Sequence, residues 1–225
     1  MGGCDAFGSS LYYLDALCKL AELGHEGFFR QSFVGGNYAL LNTETLEPNP
    51  DYYTAVLFQR LMGQRVLPVT LSHIDPDLHV YAHCASGSGG HEASSSSFSA
   101  TGVGEGDVAF AFVNRSPDKT FTLTLDSAVA EGAAGAGGGG GGGGWVGEQP
   151  LLLRRSEYHL TSGNLSDVFD RRMRLNGALL RMQGWAELPP LAPTLVDGSD
   201  PVHVDSHSVG FVILHGAKAS ACIHQ

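Results

Sequence analysis

Gly35-Gly36-Asn37-Tyr38 ends an apolar run, residues 28–34, with two glycines, a carboxamide and a phenol. Glycine lets a backbone N–H approach a ligand closely, and Asn and Tyr side chains both donate and accept hydrogen bonds. The set suits a hydroxyl- or carboxylate-bearing molecule. The plainer reading is a strand-end turn with a packed tyrosine. Gln31, inside the run, carries an amide suited to the same site. Elsewhere the reactive residue types do not gather. The histidines are scattered, with no His-Glu-x-x-His helix, and the four cysteines show no Cys-x-x-Cys spacing, so no metal site is expected. No Gly-x-Ser-x-Gly elbow presents a serine nucleophile. The glycine run 137–144 lacks the Gly-Lys-Ser/Thr ending and following helix that phosphate binding needs, and no cofactor is expected.

The elements around Gly36 read as helix, strand, helix. Leu11, Leu14, Leu17, Cys18 and Ala21 recur at helical spacing and predict a helix over 7–23 stopped by Gly24, with Cys18 a buried thiol. The aromatic run 28–34 predicts a buried strand. Pro50 opens a second helix, 51–62, where Asp51 in the first turn suits the helix dipole. This order, without hairpins, suits a parallel α/β arrangement.

The character changes after Leu67. Residues 66–71, 78–84, 108–113, 120–125, 151–153, 158–160, 173–182 and 209–214 read as strands at turn-like spacing, which predicts an antiparallel β-sandwich or barrel. Two inserts interrupt it, 86–105 and 131–144. Both are Ser- or Gly-rich and too poor in apolar surface to offset their ordering entropy, so both are expected to be disordered.

Composition excludes several classes. Forty-three per cent hydrophobic residues suffice for a core, and a formal charge of −10 argues against a nucleic-acid partner or a polybasic membrane surface. No apolar run reaches the roughly 18 residues of a transmembrane span, which leaves peripheral membrane association open. Residues 1–6 carry neither signal-peptide character nor a myristoylation pattern.

Several phrases together carry a resemblance. Residues 30–38, Leu40-Leu41-Asn42, Pro48-Asn49-Pro50-Asp51-Tyr52-Tyr53, Leu61-Met62-Gly63, Tyr81-Ala82-His83-Cys84, Glu157-Tyr158-His159-Leu160, Leu175-Asn176-Gly177, Leu188-Pro189-Pro190-Leu191 and Ala221-Cys222 occur in order. They resemble the heparanase-like glycoside hydrolases of family 79, of plant or algal type. The resemblance covers nearly the whole chain except the inserts. It implies an α/β plus all-β fold. Residues 1–65 would be the last helix-strand-helix of a truncated (β/α)8 barrel, and 66–225 an antiparallel β-sandwich. It also implies retaining hydrolysis of glucuronic-acid-containing polysaccharide or proteoglycan glycans by two carboxyl groups about 5 Å apart. Gly36, Asn37 and Tyr38 would then lie on the substrate side, at the C-terminal end of a barrel strand, with Gln31 directed toward the sugar.

The chain departs from that pattern. It holds no Asn-Glu dipeptide to supply the acid/base, and residues 1–6 hold no Glu to supply the nucleophile. No catalytic residue is therefore expected here, the chain alone is expected to be inactive, and the rest of the barrel is expected to be encoded upstream. The alternative is a non-catalytic fragment or pseudoenzyme whose sandwich is a structural or carbohydrate-contacting module. The resemblance to animal heparanase further implies a Cys84–Cys222 disulfide, hence an oxidising compartment; a pair of buried thiols is the other reading. Sequons at Asn114 and Asn164 agree with secretion, to the extracellular space or to lysosome or vacuole. Phe28, Phe29, Phe33 and Val34 are expected to expose a hydrophobic strand edge, and a chain starting near Val66 is expected to be more soluble.

Overall fold

The computed structural model describes residues 4–86, 102–124, 154–184, 187–197 and 200–223. Two helices precede the sheets: α1, Phe7–Glu22, and α2, Pro50–Leu61. Gly24 ends α1 at φ +82°, in the left-handed region that glycine enters freely, and the His25 N–H returns to the Leu20 carbonyl. Pro50 stands at the start of α2, where its missing N–H costs nothing. No helix among the described residues is long and apolar enough to cross a membrane.

α2 runs directly into β1, Met62–Leu67, and Pro68 follows the last residue of that strand. The remaining strands are β2 (Leu78–Ala85), β3 (Val108–Asn114), β4 (Phe121–Leu123), β5 (Arg155–Ser162), β6 (Met173–Leu175), β7 (Ala178–Leu179), β8 (Thr194–Val196), β9 (Val202–Val204) and β10 (Ser208–Leu214). All strand ladders among the described residues are antiparallel. The large sheet runs β1-β2-β3-β10-β5-β6-β7, with β8 also on β5, and β4 pairs β9 in a two-stranded ribbon.

Period-two alternation splits the core into two layers. Ala109, Ala111 and Val113 of β3 and Val209, Phe211 and Ile213 of β10 pack with Phe7, Leu14, Cys18, Leu57 and Leu61 of the helices. Phe110, Phe112 and Val212 face the other way and pack with Val202 and Val204 of the ribbon. Full burial of a side chain such as Phe211 contributes about 1.5–3 kcal/mol. Gly210 lies between Phe112 and Tyr158: a Cβ there would run into the Phe112 ring and come within 2.7 Å of the Tyr158 carbonyl oxygen.

Loop 163–172, between β5 and β6, ties α1 to the sheet. The first-turn N–H groups of Phe7 and Gly8, which no helix can satisfy internally, donate to the carbonyls of Asp170 (3.0 Å) and Val168 (2.8 Å). Across the sheet face, Asp15 of α1 accepts from Tyr81 at 2.7 Å and meets His79 at 2.5 Å. Cys84 and Cys222 form a disulfide, Cα–Cα 5.3 Å, closing 138 residues. Cys18 is a buried free thiol, and its titration is pushed up by burial.

Several expectations need correction. The strand over 28–34 does not form. These residues are irregular, with one isolated parallel bridge, Val34 to Leu41, because no neighbouring strand among the described residues offers a ladder. Phe29 (97 %) and Phe33 (58 %) are left exposed. The single strand over 173–182 is the hairpin β6–β7. It turns at Asn176 and Gly177, both at positive φ (+48° and +80°), as a two-residue Asn-Gly turn requires. Side chains of α1 and α2 cover one face of the large sheet, and a chain starting near Val66 would expose that face, which argues against the expected gain in solubility. Asn114 is fully buried and its amide nitrogen donates to the carbonyls of Lys119 (2.8 Å) and Asp205 (2.7 Å), which leaves no room for a glycan. Asn164 is exposed. The run 151–153, insert 131–144 and residues 87–101 of the other insert lie outside the described residues.

Candidate functional site

The segment between α1 and α2 is shaped by one cation. Arg30 points inward, with its guanidinium carbon 4.8 Å from the centroid of the Tyr13 ring. It donates to the Tyr38 carbonyl through Nε (3.3 Å) and Nη2 (3.0 Å) and ion-pairs with Asp51 in the first turn of α2. Asp51 is fully buried and also accepts from Ser9 Oγ at 3.2 Å. Burial pushes the Asp51 carboxyl up to about 6, with Arg30 and Ser9 opposing the shift. Arg30 thus draws residues 30 and 38 together and fixes both to the starts of the helices.

The turn itself needs glycine. Gly35 and Gly36 sit at φ +94° and +85°, where side chains other than glycine's are strained. Beyond it the chain folds on itself: Leu40 and Leu41 N–H donate to Ser32 and Phe33 carbonyls (3.1 and 2.9 Å). Asn49 Nδ2 donates to the Ala39 carbonyl (2.7 Å), and Asn42 Oδ1 accepts from the N–H groups of Glu44 and Thr45.

These contacts leave a cleft of about 160 Å³ lined by Asp5, Gly36, Asn37, Asn42, Thr43, Glu44, Asn49 and Arg171. It has room for a single polar group rather than a sugar chain, since full ligand pockets run to roughly 300–1,000 Å³. Its lining can both donate and accept, which suits hydroxyls. Arg171 reaches in from loop 163–172 and pairs with Asp5 at 2.7 Å. Gly36 and Asn37 are therefore together. Tyr38 is adjacent and 43 % exposed, its ring 3.8 Å from where a Gly36 Cβ would stand. Gln31 is exposed and does not line the cleft.

Three contributors to the site were not legible in the sequence. Asp51 reads as an ordinary helix start, and Arg171 and Asp5 are far apart in sequence. Arg30 had one signal: a lone Arg inside an apolar run must find a partner if it is buried.

A second constellation has catalytic residue types but not the access. Ser156 Oγ lies 2.8 Å from His215 Nε2, and His215 Nδ1 lies 3.4 Å from Asp107 Oδ2. Ser156 is 1 % exposed, and both Asp107 oxygens already accept N–H donors, from Gly104 and Gly216 at 2.7 Å. The chain Ser156–His215–Asp107 pins the ends of β5, β3 and β10 together and presents no nucleophile. Among the described residues no group of three or more His, Cys, Asp or Glu is placed to hold a metal ion.

No family model matches the chain. Heparanase-like protein 1 of Arabidopsis thaliana is 34 % identical over 220 residues, spanning 97 % of this chain and 38 % of that protein. Baicalin-β-D-glucuronidase of Scutellaria baicalensis is 31 % identical over 222 residues, 98 % of this chain and 34 % of that protein. The chain therefore spans little more than a third of the length of these relatives. Among solved structures, the GH51 α-L-arabinofuranosidase of Thermotoga petrophila superposes with a TM-score of 0.51 at 12 % identity, over 93 % of this chain and 38 % of that one; this likeness is one of fold.

Proposed function

With this chain placed among the heparanase-like proteins, whose C-terminal part it matches, we propose that it supplies one wall of a glycoside hydrolase site. In this reading residues 4–61 are the end of a (β/α)8 barrel, and the sheets from β1 onward form the sandwich domain beside it. The substrate is a glucuronic-acid-containing polysaccharide or proteoglycan glycan. Hydrolysis retains configuration through two carboxyl groups about 5 Å apart. Both are supplied by the portion of the relatives that this chain does not match. Gly36, Asn37 and Tyr38 contact the sugar, with Gln31 a further contact once the barrel is complete. Asn164 carries the glycan of a secretory or lysosomal protein, in keeping with the Cys84–Cys222 disulfide.

The observation that carries this reading is the coincidence of Gly36 and Asn37 in a polar cleft with Arg171, a cation brought in from the β5–β6 loop. Arg171 offsets the Asp5 and Glu44 carboxylates of that lining, so the cleft suits a sugar hydroxyl rather than the uronate carboxylate itself. The exposed Phe29 and Phe33 support it independently, as apolar side chains awaiting neighbours. The test is an NMR titration of the chain with methyl β-D-glucuronide, with product analysis on the same sample. The expected result is shifts at the Gly36 and Asn37 amides without hydrolysis. Hydrolysis would overturn the assignment of the carboxyl groups elsewhere, and silent Gly36 and Asn37 amides would overturn the contact.

A further inference from the structure

The large sheet carries a second hollow, on the face turned away from the helices. Glu157, His159 and Thr161 alternate along β5 with Tyr158 and Leu160, which face the helices, and therefore share the opposite face. They form one wall of a cavity of about 380 Å³, closed by Arg174, Thr194 and Asp205.

The hollow is built rather than incidental. β6 pairs β5 only at Leu160–Ser162, and β8 pairs it only at Arg155–Glu157. Asn176, at the tip of the β6–β7 hairpin, fills the gap between them. Its Oδ1 accepts from the His159 N–H (2.7 Å) and its Nδ2 donates to the Glu157 carbonyl (2.9 Å), while its own N–H donates to the His159 carbonyl (2.8 Å). Glu157 is held by Arg155 and by His159 Nε2 (2.7 Å). Burial would raise its carboxyl, but hydrogen bonds from His159 and Arg155 outweigh this and keep it below its ordinary value. Thr161 is 8 % exposed and lines the hollow.

We propose that this hollow binds one neutral sugar ring of a glycan, as a carbohydrate site separate from the Gly36–Asn37 cleft. The chemistry selects the ligand by sign. An anion would face the Glu157 carboxylate, and a cation would face the Arg174 guanidinium. A neutral ring with vicinal hydroxyls donates to Glu157 and accepts from Arg174 and from the Thr161 and Thr194 hydroxyls. Leu165, at the rim and 70 % exposed, offers an apolar surface for the C–H face of the ring. The cavity volume lies in the range of small-molecule sites, roughly 300–1,000 Å³. The site goes beyond the glycosidase reading and stands whether or not that reading holds.

The test is an amide-resolved NMR titration of the whole chain with methyl β-D-glucopyranoside, methyl β-D-galactopyranoside and methyl β-D-xylopyranoside, with methyl β-D-glucuronide for comparison. At least one neutral glycoside is expected to shift Thr161, Asn176, Gly177 and Thr194 at millimolar concentration, with the glucuronide weaker there. Thr161→Val keeps the shape and removes the hydroxyl, and should weaken binding about fivefold, the worth of one hydrogen bond. Thr194→Ala, on the exposed wall, is a second variant whose folding is not at risk, and should weaken it similarly. The proposal is overturned if no neutral glycoside shifts these amides, if both variants bind as the parent does, or if the glucuronide binds the hollow as tightly. Shifts at Gly36 and Asn37 alone would leave the glycosidase reading standing and this one refuted.

Discussion

Arg30 donates to the Tyr38 carbonyl at 3.0 Å while the same guanidinium ion-pairs with Asp51, whose side chain is fully buried. One side chain therefore sets the distance between the two ends of the glycine turn and anchors it to α2. Removing Arg30 would leave a buried carboxylate without its cation, which typically costs about 3–5 kcal/mol. Arg30→Met should lower stability by that order in urea denaturation. Arg30→Met with Asp51→Leu should recover much of the loss, because no charge then remains buried.

Asp51 also predicts a pH dependence. Its carboxyl titrates at about 6 in the folded chain against 3.8 for the ordinary group, so between these values the folded state holds more proton than the unfolded one. Stability from this group is complete below about pH 4 and is lost as pH rises through about 6. Asp51→Asn should remove that slope. Glu157, held below its ordinary value, acts with the opposite sign: its contribution is present above the unfolded pKa and is lost on acidification. Denaturation midpoints of the parent and Asp51→Asn from pH 4 to 7 check the first claim; parallel curves would contradict it.

The Cys84–Cys222 disulfide closes 138 residues, for which the chain-entropy account gives about 5 kcal/mol of stabilisation. Cys84→Ser with Cys222→Ser should therefore lose several kcal/mol in guanidinium denaturation, more than most single core truncations. A loss within error would show that the reduced chain keeps its loop closed by other contacts.

Gly210→Ala tests the close approach of β10 to its neighbours. The added methyl would meet the Phe112 ring and the Tyr158 carbonyl, and a carbonyl in a ladder cannot move aside. Overpacking of this kind costs about 1–3 kcal/mol. Gly177→Ala meets no side chain, and its cost should come from the positive φ alone. Thermal melts of the two variants separate the effects.

β2, β3 and β10 are legible as short, largely apolar runs bounded by turn residues. Asn176-Gly177 is a turn pair, yet the apolar pattern runs on through it and reads as one longer strand over 173–182. The run 28–34 misled for a different reason. Its composition is that of a strand, yet a strand exists only with a partner, and no local pattern supplies one. β8 and β9, of three residues each, fall below any periodicity. At the site, Gly36 and Asn37 were visible from turn chemistry. Arg171, Asp5 and the capping of α1 by the Val168 and Asp170 carbonyls depend on contacts across more than 150 residues, which no spacing rule reaches.

The central claim is that this chain completes a glycosidase site through the Gly36–Asn37 corner. Its most direct test replaces the matching part of baicalin-β-D-glucuronidase with this chain and measures kcat/KM on its glucuronide. The account predicts a hydrolysing chimera in which Asn37→Ala lowers kcat/KM about tenfold, equivalent to roughly 1.4 kcal/mol of transition-state contact, with no change in thermal stability. A folded chimera without activity, or one indifferent to Asn37→Ala, would contradict it.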